Sequence, residues 1–178
     1  MISDEELMAK AAQGDVGAFE QIVIRYQASV WRTAYRFTGN SADAQDITQI
    51  VFLKLFEAAP RYHPTALLKT YLFRIVNTTC IDHARKKRFH ASDDPADVPD
   101  NAPSAMDSMI LLERDKAIRQ SIKTLPLRQQ SAILLRYEAK LSIREIANIL
   151  KVTEKAVERL LARGRDALSE ILKEQFKF

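Results

Sequence analysis

Apolar residues recur along the chain at spacings of three and four, and no segment sustains the alternation of a half-buried strand. The pattern predicts an all-α protein of five or more helices. Phe19, Val23, Tyr26, Val30, Ala34 and Phe37 share one face of a long first helix that stops near Gly39 and Asn40, after which Ser41 restarts the chain. A second helix over 43–58 places Ile47, Val51, Leu55 and Ala58 on its core face. A third, over 67–88, carries Leu68, Leu72, Ile75, Val76 and Thr79, with Pro60 and Pro64 making the loop before it.

The pattern then breaks. Residues 89–108, FHASDDPADVPDNAPSAMDS, hold three prolines and five aspartates with hardly any large apolar side chains, too little to bury a core. Beyond them Leu111, Ile118, Ile122 and Leu125 line one helix, and Pro126 opens another where its missing N–H costs little. Ser142 with Glu145 forms a capping box for the next. Thr153 is the N-cap of a last helix that buries Val157, Leu161, Gly164, Leu168 and Ile171. The expected organisation is two small helical domains, 1–88 and 111–178, joined by a flexible acidic linker over 89–110.

Composition and charge sharpen this picture. The 178 residues are 47% hydrophobic and 28% charged, enough for packed cores. Charge runs in blocks: −3 for residues 1–60, +6 for 61–88, −5 for 89–110 and +6 for 111–178. Two basic units around an acidic tether suggest that each unit meets a polyanion. The single cysteine, Cys80, rules out an internal disulfide and a CxxC pair. No run approaches the length of a membrane span, and Met1 to Lys10 is acidic where a signal peptide would be basic and then apolar, so the expected location is cytoplasmic.

Catalytic chemistry finds little support. Gly14, Gly17, Gly39 and Gly164 are unclustered, which excludes a Walker loop or dinucleotide fingerprint. His63, His83 and His90 lack a metal-ligand spacing, and Cys80 with His83 supplies only two ligands. Asp82 and His83 have no partnered nucleophile. Neither an enzyme nor a cofactor, metal or small-molecule substrate is expected.

The most specific pattern is SIREIANIL, a short KVT turn, then EKAVERLLARGR, which has the form of a helix-turn-helix. Ile143, Ile146, Ala147 and Leu150 face inward, small Ala147 lets the helices cross closely, and Val157 and Leu161 complete the core. The outer face holds Lys155, Glu158, Arg159, Ala162, Arg163 and Asp166. In a major groove Arg159 would bond a guanine edge and Glu158 a cytosine amine, while Lys155 and Arg163 hold phosphates. The alternative is a solvated charged helix of a three-helix bundle.

Two further faces stand out. Thr70, Arg74, Asn77, Ile81, Arg85 and Arg88 share one side of the third helix. Its basic end either complements the helix dipole or, with Tyr62, Tyr71 and Phe73, makes a groove for unstacked bases; those aromatics equally suit a core. The second helix carries a second stripe, Gln49, Phe52, Leu53 and Phe56, edged by Asp46. That stripe is either a docking surface or the other side of a buried helix.

Together DAQDITQIVFLKLF, TYLFRIVNTTCIDHARKKR and LPLRQQSAILLRYEAKLSIREIANILKVTEKAVERLLARGR resemble regions 2.2, 2.3 to 2.4 and 4 of the bacterial extracytoplasmic-function sigma factors, the compact two-domain class of the sigma-70 family. The resemblance spans nearly the whole chain. It implies that Asp46, Gln49, Phe52 and Phe56 dock on the clamp helices of the polymerase β′ subunit. It implies that Arg74, Asn77, Asp82, Arg85 and Arg88 meet the minus-ten promoter element, and that the loop from Arg61 through Tyr62 and His63 to Ala66 reads an unstacked base. Region 4 would bind the minus-thirty-five element through Thr153, Lys155, Glu158, Arg159 and Arg163, and would also bind the β-flap. The linker would thread near the active-site cleft and RNA exit path.

On this resemblance the chain is a sigma factor that binds core RNA polymerase, directs it to specific promoters, assists melting and is held inactive by an anti-sigma factor. The alternatives are a stand-alone helix-turn-helix regulator and an interaction adaptor with solvated basic faces. The chain departs from the family pattern at Ile50, where an acidic residue is usual, at Tyr71 for Trp, and at Lys151 for Gly. Glu158-Arg159-Leu160 stands where Lys-Ser-Arg is common.

Overall fold

The computed structural model describes residues 2–63, 67–90 and 106–176. Among them are eight α-helices: α1 (Asp4–Ala12), α2 (Val16–Thr38), α3 (Ser41–Ala58), α4 (Leu68–His90), α5 (Met106–Thr124), α6 (Leu127–Tyr137), α7 (Ile143–Leu150) and α8 (Glu154–Phe176). A single 3₁₀ turn, Ala59–Arg61, follows α3. The described residues contain no strand, and the all-α expectation holds. The acidic segment 91–105 lies outside the described residues.

The apolar spacing gave no sign of α1, whose acidic start read only as an argument against a signal peptide. Those acids have a local role. Ser3 and Glu6 form a capping box, and Asp4, Glu5 and Glu6 sit at the positive end of the helix dipole. Leu7, Met8 and Ala11 are buried, and the Asp4 carboxylate accepts hydrogen bonds from Arg25 and Tyr26, which fastens α1 to α2.

In α2 the buried face is centred on Ala18, Ile22, Val30, Ala34 and Phe37, so the expected stripe is displaced at its N-terminal end. Phe19, Val23 and Tyr26 lie at its edge, half-buried. Gly39 ends the helix at φ 70°, a left-handed conformation that glycine adopts without penalty, and its N–H donates to the Tyr35 carbonyl. Asn40 then caps α3 by accepting from the Asp43 N–H. Ile47, Val51 and Leu55 of α3 and Leu68, Leu72 and Val76 of α4 fill the core beneath.

The two helical groups are in contact, which the reading of two units on a flexible tether did not anticipate. The last turn of α2 leaves carbonyls without helical partners, and the C-terminal group supplies one. Gln130 of α6, itself buried, donates from Nε2 to the Phe37 carbonyl at 3.0 Å. Arg36 pairs with Asp115 of α5 at 2.9 Å and with Glu138 at 2.6 Å. Arg119 lies 4.6 Å over the Tyr35 ring, which stacks on Trp31. A cavity of about 240 Å³ remains along this seam, lined by Asp43, His83, Lys87 and Arg88 on one side and Lys123 and Leu127 on the other.

Candidate nucleic-acid and docking surfaces

The helix-turn-helix is assembled by local hydrogen bonds. The Glu145 N–H donates to Ser142 Oγ at 3.2 Å, and the Ser142 N–H donates to the Glu145 carboxylate at 2.8 Å. Burial raises Glu145, but the bonds from Ser142 and Thr70 outweigh it and hold the carboxyl below its ordinary value. The turn passes through Lys151 at φ 54° and ψ 50°, so this lysine occupies the left-handed position where the family pattern has glycine. The Val152 N–H donates to the Ala147 carbonyl, and Thr153 Oγ1 accepts from the Ala156 N–H at 3.2 Å, starting α8.

Ile146, Ala147, Val157 and Leu161 are buried as expected. Ile143 and Leu150 are half-buried, and Ile149 is buried instead, because α7 packs against α4 and α6 as well as α8. Thr153, Lys155, Glu158, Arg159 and Arg163 are all exposed, and the four charged ones project from the first half of α8. Among the described residues nothing covers the face that would enter a major groove.

The outer side of α3 divides in two. Asp46 and Gln49 are exposed, Phe56 is 44% exposed and Leu53 61%. Phe52 is only 8% exposed and belongs mostly to the core, which corrects its expected place as an open docking residue. Its ring forms the floor of a groove of about 400 Å³ whose walls are Phe19, Gln49, Leu53 and Phe56. Phe19 meets Phe56 edge-on, with ring centroids 5.0 Å apart. The second stripe is therefore both a core contact and an open apolar groove.

The structure also divides the α4 face. Arg61 and His63 before the helix are exposed, as are Asp82, Arg85 and Arg88 toward its end. Tyr62 is half-buried and sits edge-on to Tyr71 with centroids 5.4 Å apart. Burial pushes its hydroxyl up, helped by the nearby charges of Glu5 and Asp4. Phe73 is wholly buried and is a core residue, which closes the alternative left open for it. Pro64 to Ala66 of the loop lie outside the described residues.

The N-terminal half of the face is occupied. Thr70 is 2% exposed and donates from Oγ1 to the Glu145 carboxylate at 2.8 Å, while Arg74 donates from Nη2 to Asn148 Oδ1 at 2.9 Å. Asn77 is half-buried. Sequence reasoning missed Glu145 and Asn148 as partners of α4, because no local pattern links residues more than 70 positions apart. It also missed Asp43, which lies 3.3 Å from both His83 Nε2 and Lys87 Nζ. Among the described residues no group of three or more His, Cys, Asp or Glu side chains is placed to hold a metal ion.

A helix-turn-helix with an open charged face thus stands beside a helical unit with an apolar groove and a basic helix end. The sigma-70 region 2 family description matches residues 22–90, and that of sigma-70 region 4 matches residues 115–168. The chain is 30% identical over 174 residues to the ECF RNA polymerase sigma factor SigW of Bacillus subtilis, covering 91% of this chain and 92% of that protein. It is 31% identical over 170 residues to the ECF sigma factor SigM of Mycobacterium tuberculosis, covering 96% and 85%.

Among solved structures it resembles CnrH in complex with the cytosolic domain of CnrY, with TM-score 0.75, 25% identity and coverage of 96% of this chain and 97% of that one. The fold also matches RpoE of Bartonella quintana, solved with the anti-sigma factor NepR, with TM-score 0.70, 20% identity and coverage of 87% and 96%. The chain belongs to the extracytoplasmic-function sigma factors of the sigma-70 family. Sigma factors of this family act in transcription initiation. Among the described residues no helix is long and apolar enough to cross a membrane.

Proposed function

We propose that this sigma factor docks on the β′ clamp helices of core RNA polymerase through Asp46, Gln49 and Phe56 around the groove floored by Phe52. Arg61, Tyr62 and His63 with Arg74, Asn77, Asp82, Arg85 and Arg88 contact the minus-ten element and assist melting. Thr153, Lys155, Glu158, Arg159 and Arg163 read the minus-thirty-five element, and the same unit meets the β-flap. The functional units are residues 1–88 and 111–178, with 89–110 as the acidic connector. The protein works in the cytoplasm, performs no catalysis of its own and is restrained by an anti-sigma factor, in line with the co-crystal structure of its fold neighbour RpoE with the anti-sigma factor NepR.

The observation that carries this reading is the exposed charged face of α8 on a capped helix-turn-helix. Run-off transcription with purified core polymerase on a promoter library, at a stated low salt, tests it. Discrete new transcripts that share a two-part promoter element are expected. Binding of duplex DNA without any polymerase-dependent transcript would overturn it in favour of a stand-alone helix-turn-helix regulator.

A further inference from the structure

We propose that α7 of the helix-turn-helix is an intramolecular latch on α4, covering the N-terminal half of the minus-ten face of the free protein while leaving the minus-thirty-five face of α8 open. The proposal rests on the reading of α4 as the minus-ten helix.

The latch has two bonds at its centre. Thr70 reaches Glu145 at 2.8 Å, and Arg74 reaches Asn148 at 2.9 Å. Thr70 is almost completely buried, so α7 lies across the first turns of α4 where a single strand would have to approach. Arg74 commits its Nη2 to Asn148, and its Nε is buried with no hydrogen-bond partner, so the side chain is held against α7. Glu145 is suited to hold the latch, because its bonds to Ser142 already fix its carboxylate in place.

A second seam keeps the two units in register. Gln130 caps the Phe37 carbonyl, and Arg36 is gripped by Asp115 and Glu138. By contrast, Lys155, Glu158, Arg159 and Arg163 on α8 and the groove beside Phe56 on α3 stay uncovered. The closed form can therefore approach polymerase and the upstream element but cannot seat a strand along the first turns of α4, so the downstream element engages only the exposed end of the helix. Opening must precede promoter melting, and the fraction of open protein scales the apparent affinity of every step that needs α4.

Asn148 is exposed and faces Arg74, so its charge can be changed without opening the core. Asn148→Lys sets two cations together, and Asn148→Asp turns the hydrogen bond into an ion pair. Fluorescent labels on Lys86→Cys and Lys173→Cys, both exposed sites, report the separation of the two units in the full chain, with the buried Cys80 unlabelled. Asn148→Lys is expected to raise the open population about fivefold and Asn148→Asp to lower it by a similar factor. In unlabelled protein the rate of promoter opening by the holoenzyme, at limiting sigma factor, should follow in the same order.

Label separations that are the same in all three proteins, or a wild-type separation equal to that in the holoenzyme, would overturn the latch. A shift in separation with unchanged promoter opening would overturn its inhibitory role. Arg74→Ala in the holoenzyme then locates the fault: normal melting by that variant means the minus-ten reading of α4 has failed, whereas impaired melting leaves that reading intact.

Discussion

Gly164 of α8 passes directly against Ile133 of α6, so closely that a Cβ on the glycine would come within 2.9 Å of Ile133 Cγ1. Glycine within a helix costs roughly 1 kcal/mol relative to alanine, and here it permits the approach of two helices that form the base of the C-terminal unit. Ile133 is 4% exposed, so giving way to a methyl group means displacing core neighbours. Gly164→Ala should therefore lower stability by about 1 to 2 kcal/mol despite its better helix propensity, because overpacking exceeds the gain. Urea unfolding checks this, and a variant more stable than wild type would show that the helices separate readily.

Lys151 presents the opposite case. It holds a left-handed conformation at φ 54° in the turn between α7 and α8, where a side chain strains the backbone. Lys151→Gly should stabilise the protein by about 1 kcal/mol and raise Tm by a few degrees. Thermal unfolding is the measurement, and a lower Tm would mean that the lysine side chain contributes more than its conformation costs.

Cys80 is 1% exposed, and burial pushes its thiol up from about 9 to about 12. The neutral thiol is favoured in the folded state, so the unfolded chain releases its proton first as pH rises. Stability from this group is full below about pH 9 and falls between about pH 9 and 12. Cys80→Ala should remove that portion of the alkaline decline. In native protein near neutral pH an alkylating reagent should modify Cys80 only as fast as the chain opens, and rapid modification would contradict the burial.

Phe52 and Phe56 are neighbours on α3 with different expected phenotypes. Phe52→Ala empties a core position and should cost about 3 kcal/mol or more of stability. Phe56→Ala, with Gln49→Ala, should leave the fold intact and reduce the affinity for core polymerase by at least about tenfold, the loss expected of an aromatic anchor. Fluorescence anisotropy with core polymerase separates the two, and undiminished binding by the Phe56 and Gln49 variant would move the docking site elsewhere.

Arg159 lies on the exposed face of α8 and serves as a test of base reading. Arg159→Ala should reduce discrimination at one position of the minus-thirty-five element by roughly 1 to 3 kcal/mol. Competition binding against promoter variants measures it; equal losses on every sequence would assign Arg159 to the phosphate backbone.

The sequence by itself determined the helices and the helix-turn-helix, because capping, apolar spacing and turn chemistry act over a few residues. Ser142 with Glu145, Thr153 as a cap and the Gly39 stop are all local devices, and each appears as read. Helix α1 escaped because its buried side is only Leu7, Met8 and Ala11, with no partner stripe nearby in sequence, and its place depends on Asp4 meeting Arg25 and Tyr26. The core face of α3, Ile47, Val51 and Leu55, was legible from spacing, but tertiary structure alone decided how its second stripe divides, sending Phe52 inward and Phe56 outward, since burial depends on what α2 brings alongside. It also decided that the two units meet, through Thr70 with Glu145 and Gln130 with Phe37. Those contacts join residues distant in the chain, and no periodicity within either segment can encode a partner that lies on the other.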